Sequence, residues 1–134
     1  MSGEYIGRGN NAGPASDIFP LSGSTASSVP ILITATTATG GGTIAHTCDA
    51  DAYDMPYIII SNVGTAGATV YGNIGSLATT GNRQWSISAG AFTTAYSYDV
   101  MQSKSGTFSF WSSATSGLYI TGVVARMFTA SSAP

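Results

Sequence analysis

LYITGVVARMF, residues 118–128, is the stretch that decides the fold. It is the longest and clearest strand-like stretch in the chain, carrying Tyr119, Ile120, Thr121, Val123, Val124 and Phe128, side chains that fit a pleated, half-buried surface. The pattern predicts a strand. Just upstream, Phe108 and Phe110 alternate with Ser109 in a second strand over Thr107 to Trp111. Tyr57 to Ser61 carries Ile58-Ile59-Ile60, a run expected to be buried on both faces. Residues 31–37, rich in β-branched side chains, predict another strand, which Gly40-Gly41-Gly42 breaks and Thr43 to Thr47 resumes. Ala68–Tyr71, Arg83–Ser88 and Phe92–Tyr98 complete the set, with 49–54, 62–67 and 72–82 as loops and turns. About eight strands at spacings of roughly 8–14 residues are what a sandwich requires. No helical period with caps interrupts them. The expectation is an all-β, jelly-roll-like β-sandwich of antiparallel strands over residues 30–134. An immunoglobulin-like sandwich is the alternative, but its Cys and Trp spacing is missing.

Residues 1–29 have a different texture. They are rich in Gly, Asn, Ser and Pro without apolar periodicity, which predicts an extended N-terminal arm with no core of its own. Tyr5, Ile6, Ile18, Phe19, Leu21 and Val29 are apolar pegs along it. Such pegs either dock on a neighbouring chain or fold back over the chain's own sandwich, and both readings stand open. Tyr5, Ile6, Ile18, Phe19 and Leu21 are therefore candidate interface residues. Trp111 joins them: adjacent strand residues face opposite sides, so one of Phe110 and Trp111 is expected outside the core.

The 134 residues suffice for one domain. Charged residues are 7% of the chain, against roughly 25% in ordinary globular proteins. Interfaces are depleted in Lys and Glu, whereas a free monomer needs charge to stay dispersed. The composition therefore predicts extensive protein contact. A net charge of -2 with no basic stripe argues against nucleic acid as a partner. No run approaches the roughly eighteen apolar residues of a membrane helix, and Met1-Ser2-Gly3-Glu4 opens no secretory leader. The single cysteine, Cys48, excludes an intramolecular disulfide framework. These features fit synthesis and assembly in a reducing cytoplasm.

Catalytic chemistry needs positioned titratable groups. His46 is the only histidine, and Cys48 lies two residues on, about 6–7 Å away on the same strand face. No third group to orient a base is apparent, and no glycine-rich turn follows the cysteine. A packed histidine beside a small buried cysteine is the expectation, with no catalytic residue and no enzymatic activity. Asp49, Asp51 and Asp54 are oxygen ligands of the kind calcium favours. The EF-hand pattern is absent, so they are read as turn-capping side chains, with no metal and no cofactor assigned. Gly40-Gly41-Gly42 precedes no helix that would hold a phosphate. The aromatics, among them Trp85, Trp111, Tyr71, Tyr96, Tyr98 and Tyr119, are read as core and interface anchors before a sugar-stacking platform.

Five segments together carry a resemblance. They are Ile31-Leu-Ile-Thr-Ala-Thr, Thr43-Ile-Ala-His46-Thr47, the acidic stretch Asp49 to Asp54, Tyr57-Ile-Ile-Ile-Ser-Asn62, and Ile120-Thr-Gly122-Val123-Val124-Ala125-Arg126. In these the chain resembles small virion proteins of tailed bacteriophages, including head decoration (cement) proteins, over about residues 31–128. The insertion from Gly72 to Asn82 departs from that pattern. The resemblance implies a β-sandwich on the capsid exterior, assembled in the host cytoplasm. It implies a homo-oligomer, a trimer, that clamps the major capsid protein lattice by many weak, symmetric contacts. A tail, fibre or baseplate module and a carbohydrate-binding module are the alternatives.

Overall fold

The computed structural model describes residues 16–24, 29–38, 42–74, 83–95, 106–114 and 116–128. Side-chain alternation sets its plan. In β4 (Ala52–Asn62) Ala52, Asp54, Pro56, Ile58, Ile60 and Asn62 are buried, while Tyr53, Tyr57 and Ile59 are exposed. That is the two-residue period of a strand with one face on a core. β9 (Leu118–Phe128) pairs antiparallel with β4 along its whole length, from Ala52 opposite Phe128 to Asn62 opposite Leu118. β1 (Ser16–Pro20) and β2 (Ile31–Leu32) share the other edge of β9. β7 (Phe92–Ala95) flanks β4 at Ile58–Ser61.

The second sheet runs in the order β3 (Thr43–Thr47), β8 (Thr107–Ser112), β5 (Ala68–Ile74), β6 (Arg83–Ile87). All pairings are antiparallel, and the described residues contain no helix. Ile58, Ile60, Leu118, Ile120 and Val124 from the first sheet form one core with Val70, Ile74, Ile87, Phe108 and Phe110 from the second. The pairings are nested: β2 with β9, β3 with β8, β4 with β7, and β5 with β6. Taken in that order, successive pairs alternate between the first and the second sheet. The all-β sandwich read from the sequence is the architecture observed.

Several boundaries differ, each for a physical reason. Residues 16–24, placed in the arm, belong to the sandwich: β1 pairs with β9, and Leu21, 1% exposed, lies in the core. Asp54 stands in β4 and not in a loop, and Pro56 follows inside the strand. Proline is tolerated there because β7 reaches only Ile58 on that flank. Ile59 is exposed, so the three-isoleucine run is buried on one face only. The strand expected over 31–37 shortens to two residues, because the Thr43 hydroxyl accepts the amides of Thr34 and Ala35. Local side-chain bonds of this kind compete with ladder pairing.

Gly122 lies in β9 with φ 144°, and a Cβ there would sit 2.2 Å from the Tyr57 carbonyl oxygen. Gly90 has φ 77° but nothing within 4 Å. Gly122→Ala is expected to destabilise the fold by about 2–4 kcal/mol, and Gly90→Ala by about 1–2 kcal/mol. Urea unfolding of both variants measures the contrast. Removing residues 1–24 takes away β1 and Leu21, so the thermal midpoint should fall by at least about 10 °C.

Candidate functional site

A β-bulge begins the site. Ile44 lies opposite Ser109 and His46 opposite Phe108, so Ala45 is the extra residue. Ala45 and His46 are both buried as a result, and the His46 ring lies 5.5 Å from that of Phe108. His46 Nε2 is 2.6 Å from Asp54 Oδ2, and the Ser22 amide donates to His46 Nδ1 at 3.0 Å. A nitrogen that accepts carries no proton, so Nε2 holds it and donates to Asp54. The neutral ring joins the two sheets.

Asp54 points inward from β4, directly opposite Arg126 of β9. Arg126 Nε donates to Oδ1 at 2.7 Å and Nη2 to Oδ2 at 3.0 Å, a two-pronged grip. The Asp49 amide adds a longer bond to Oδ2 at 3.3 Å. Burial alone pushes the Asp54 carboxyl up. The hydrogen bonds from Arg126 and His46, the Arg126 charge and the Asp49 amide outweigh it and hold the group below the usual carboxylate range. Phe19 of β1 covers the guanidinium, with Cζ 4.5 Å from the ring centroid. Ser22 Oγ accepts the Thr47 amide at 2.8 Å, and the Gly23 amide donates to the Ala45 carbonyl at 2.9 Å. The bridge therefore fastens the segment after β1 to β3 as well as one sheet to the other.

His46, Cys48 and Asp54 bring ligand atoms within 4.8 Å of one another, all buried. Their commitments oppose metal binding. Arg126 occupies both Asp54 oxygens, and a cation would meet the guanidinium there. A nucleophilic cysteine needs a histidine nitrogen free to take its proton. Here one nitrogen serves Asp54 and the other accepts the Ser22 amide. Asp49 Oδ2 accepts the Asp51 amide at 3.0 Å, which is a turn-capping role.

The second feature is a surface. The outward positions of β4 hold Tyr53, Met55, Tyr57 and Ile59, and they face Met127, Ala125, Val123 and Thr121 across the ladder. Ile18, Leu32 and Phe92 flank them from β1, β2 and β7. Ile18 is 65% and Phe92 67% exposed; Leu32, Tyr53, Tyr57, Ile59 and Met127 are between 36% and 40%. Among the described residues no charged side chain stands at an outward position of this sheet. Contiguous apolar faces of this kind are uncommon on dispersed monomers.

The sequence-predicted residues fall in different places. Ile18 is on this face. Phe19 packs against the core and Arg126, and Leu21 is inside. Trp111 was expected to be exposed and is not. It is 4% exposed, stacked on Tyr71 with centroids 5.9 Å apart, because β8 is buried on both of its faces. Tyr5 and Ile6 lie outside the described residues. The sequence reading missed the pairing of Asp54 with Arg126 and the outward row on β4. The signal for the row was apolar side chains at both parities from Tyr53 to Ile60. Comparison with protein-family models, curated proteins and solved structures finds no match.

The carboxyl of Asp54 is held below its unfolded value, so its stabilising effect is complete above the ordinary carboxylate range. It is lost as the pH falls through the lower, folded value. Unfolding free energies measured from neutral pH downward should show this acid limb, and Asp54→Asn should flatten it. Asp54→Ala, which strands Arg126 and His46, should cost about 3–5 kcal/mol at neutral pH.

Proposed function

We propose that the chain is a structural virion protein of a tailed bacteriophage, a decoration (cement) protein that binds the major capsid protein lattice on the head exterior. The observation that carries the reading is the broad apolar face of the first sheet, which has no charged side chain at its outward positions among the described residues. It adds to a composition with 7% charged residues. Both fit a protein whose working state is an assembly. We read the nested strand pairing as a jelly roll, an architecture used by viral capsid domains, lectins and cupins. Fold alone does not choose among these.

The chemistry of the two features narrows the choice. Cupin-like or hydrolytic work would need free ligands or a free base, and His46 and Asp54 are fully engaged with Ser22 and Arg126. The chain is read as a non-enzyme, without metal or cofactor. A glycan platform would set carboxylates or carboxamides beside its aromatic row. Tyr53, Tyr57 and Tyr119 point outward from the first sheet, but no Asp, Asn, Glu or Gln shares those positions among the described residues. A homo-oligomer on a symmetric lattice gains avidity from repeated weak contacts, as capsid stabilisation requires.

Quantitative mass spectrometry of purified virions tests the reading. Hundreds of copies per particle are expected, with loss of the chain lowering the temperature at which heads release DNA. A few copies per particle would favour a tail, fibre or baseplate module, and absence from virions would overturn the proposal.

A further inference from the structure

We infer that the outer face of the first sheet is covered by the same face of a second copy of this chain, the two stacked about a two-fold axis. This rests on the reading of the chain as an assembly protein and names the partner of that face.

Three observations carry it. The first is area. β4 and β9 contribute eleven residues each, β1 five, β7 four and β2 two; at about 3.4 Å per residue and about 4.8 Å between strands they make a face on the order of 540 Å². Two such faces bury about 1,100 Å², just above the roughly 1,000 Å² that a specific interface needs to clear. The second is charge. A partner with its own charge pattern calls for a complementary pattern, and this face offers none among its described outward positions. A face without charge at its described outward positions meets its own copy there without juxtaposing like charges.

The third is the placement of the two large apolar side chains most exposed at the outward strand positions of this face. Phe92 of β7 lies opposite Ser61, near one end of β4. Ile18 of β1 lies opposite Ala125, which pairs with Met55 nearer the other end. They therefore occupy diagonal corners of the face, at 67% and 65% exposure. Tyr57 and Ile59 lie between them on β4. A two-fold axis that lies in the plane between the two faces, perpendicular to the line from Phe92 to Ile18, sets Phe92 of each copy over Ile18 of the other and crosses the strands of the two copies steeply, as an isologous contact allows. The apolar side chains then interdigitate as between any two stacked sheets, at about 10 Å.

Sedimentation equilibrium and light scattering of the full chain test the inference. The wild type is expected to be a dimer at micromolar concentration. Ile18→Lys and Phe92→Asp, both at exposed positions, should each weaken association at least tenfold while the thermal midpoint of the dissociated chain stays that of a folded protein. The double variant should regain the dimer, because each lysine then faces an aspartate. A wild-type monomer, a trimer, or a double variant no tighter than its parents would overturn the stacking. A monomer that still binds capsids overturns it and leaves the virion reading standing. A dimer absent from virions upholds it and removes the virion reading.

Discussion

Asp54 is a carboxylate with no exposed surface, and one end of the sandwich is organised around it. A buried charge is costly unless paired and hydrogen-bonded. Arg126 supplies the pair, from the next strand in register. His46 supplies a bond from the opposite sheet, and a bulge in β3 is what turns its ring inward. Ser22 then fixes the histidine tautomer and brings in the chain that follows β1. Each partner comes from a different element, so the bridge forms only when both sheets and the leading segment are in place. It specifies arrangement more than it adds net stability, because replacing such a network by apolar residues is often neutral.

The same strand carries a second polar clamp at its far end. Asn62 donates to the carbonyls of Ala66 and Ile87 at 2.9 and 3.0 Å, and its Oδ1 accepts the Gly64 amide. Ile87 belongs to β6 of the second sheet. β4 is therefore pinned to the opposite layer at both ends, with Ile58 and Ile60 packed between. A one-residue slip of its pairing would expose the isoleucines and bury the tyrosines. It would also strip Asp54 and Asn62 of their partners. Polar clamps and apolar alternation thus enforce one register.

Legibility in the sequence followed the range of the interactions. β9 was read at its observed bounds because β-branched density is a local signal. β1 was not, since an edge strand with Pro20 at its end has little pattern of its own and forms because β9 offers it a ladder. Asp54 was read as a loop acid because its reason for being in a strand, Arg126, is 72 residues away. Trp111 was placed outside by strand parity, a rule that assumes one wet face. β8 lies in the middle of its sheet with both faces covered. The His46–Cys48 proximity was foreseen from spacing; the partners that occupy His46 were not.

The distribution of charge links the bridge to the surface. The chain has four basic and six acidic residues. Arg126, Asp54 and Asp49 are drawn together at the bridge, with Arg126 Nη1 4.0 Å from Asp49 Oδ1. Charge spent on internal order is withdrawn from the exterior, where it would keep molecules apart. The outer face of the first sheet is left with tyrosine hydroxyls, threonines and aliphatic groups. In a dispersed monomer that face would be a liability for uncontrolled association. It becomes an asset once its contacts close on themselves by symmetry, because closure limits growth where an open heterologous contact would continue into fibres. A partner surface that is apolar and finite would satisfy that condition, and on the stacking inferred above a second copy of this chain supplies one.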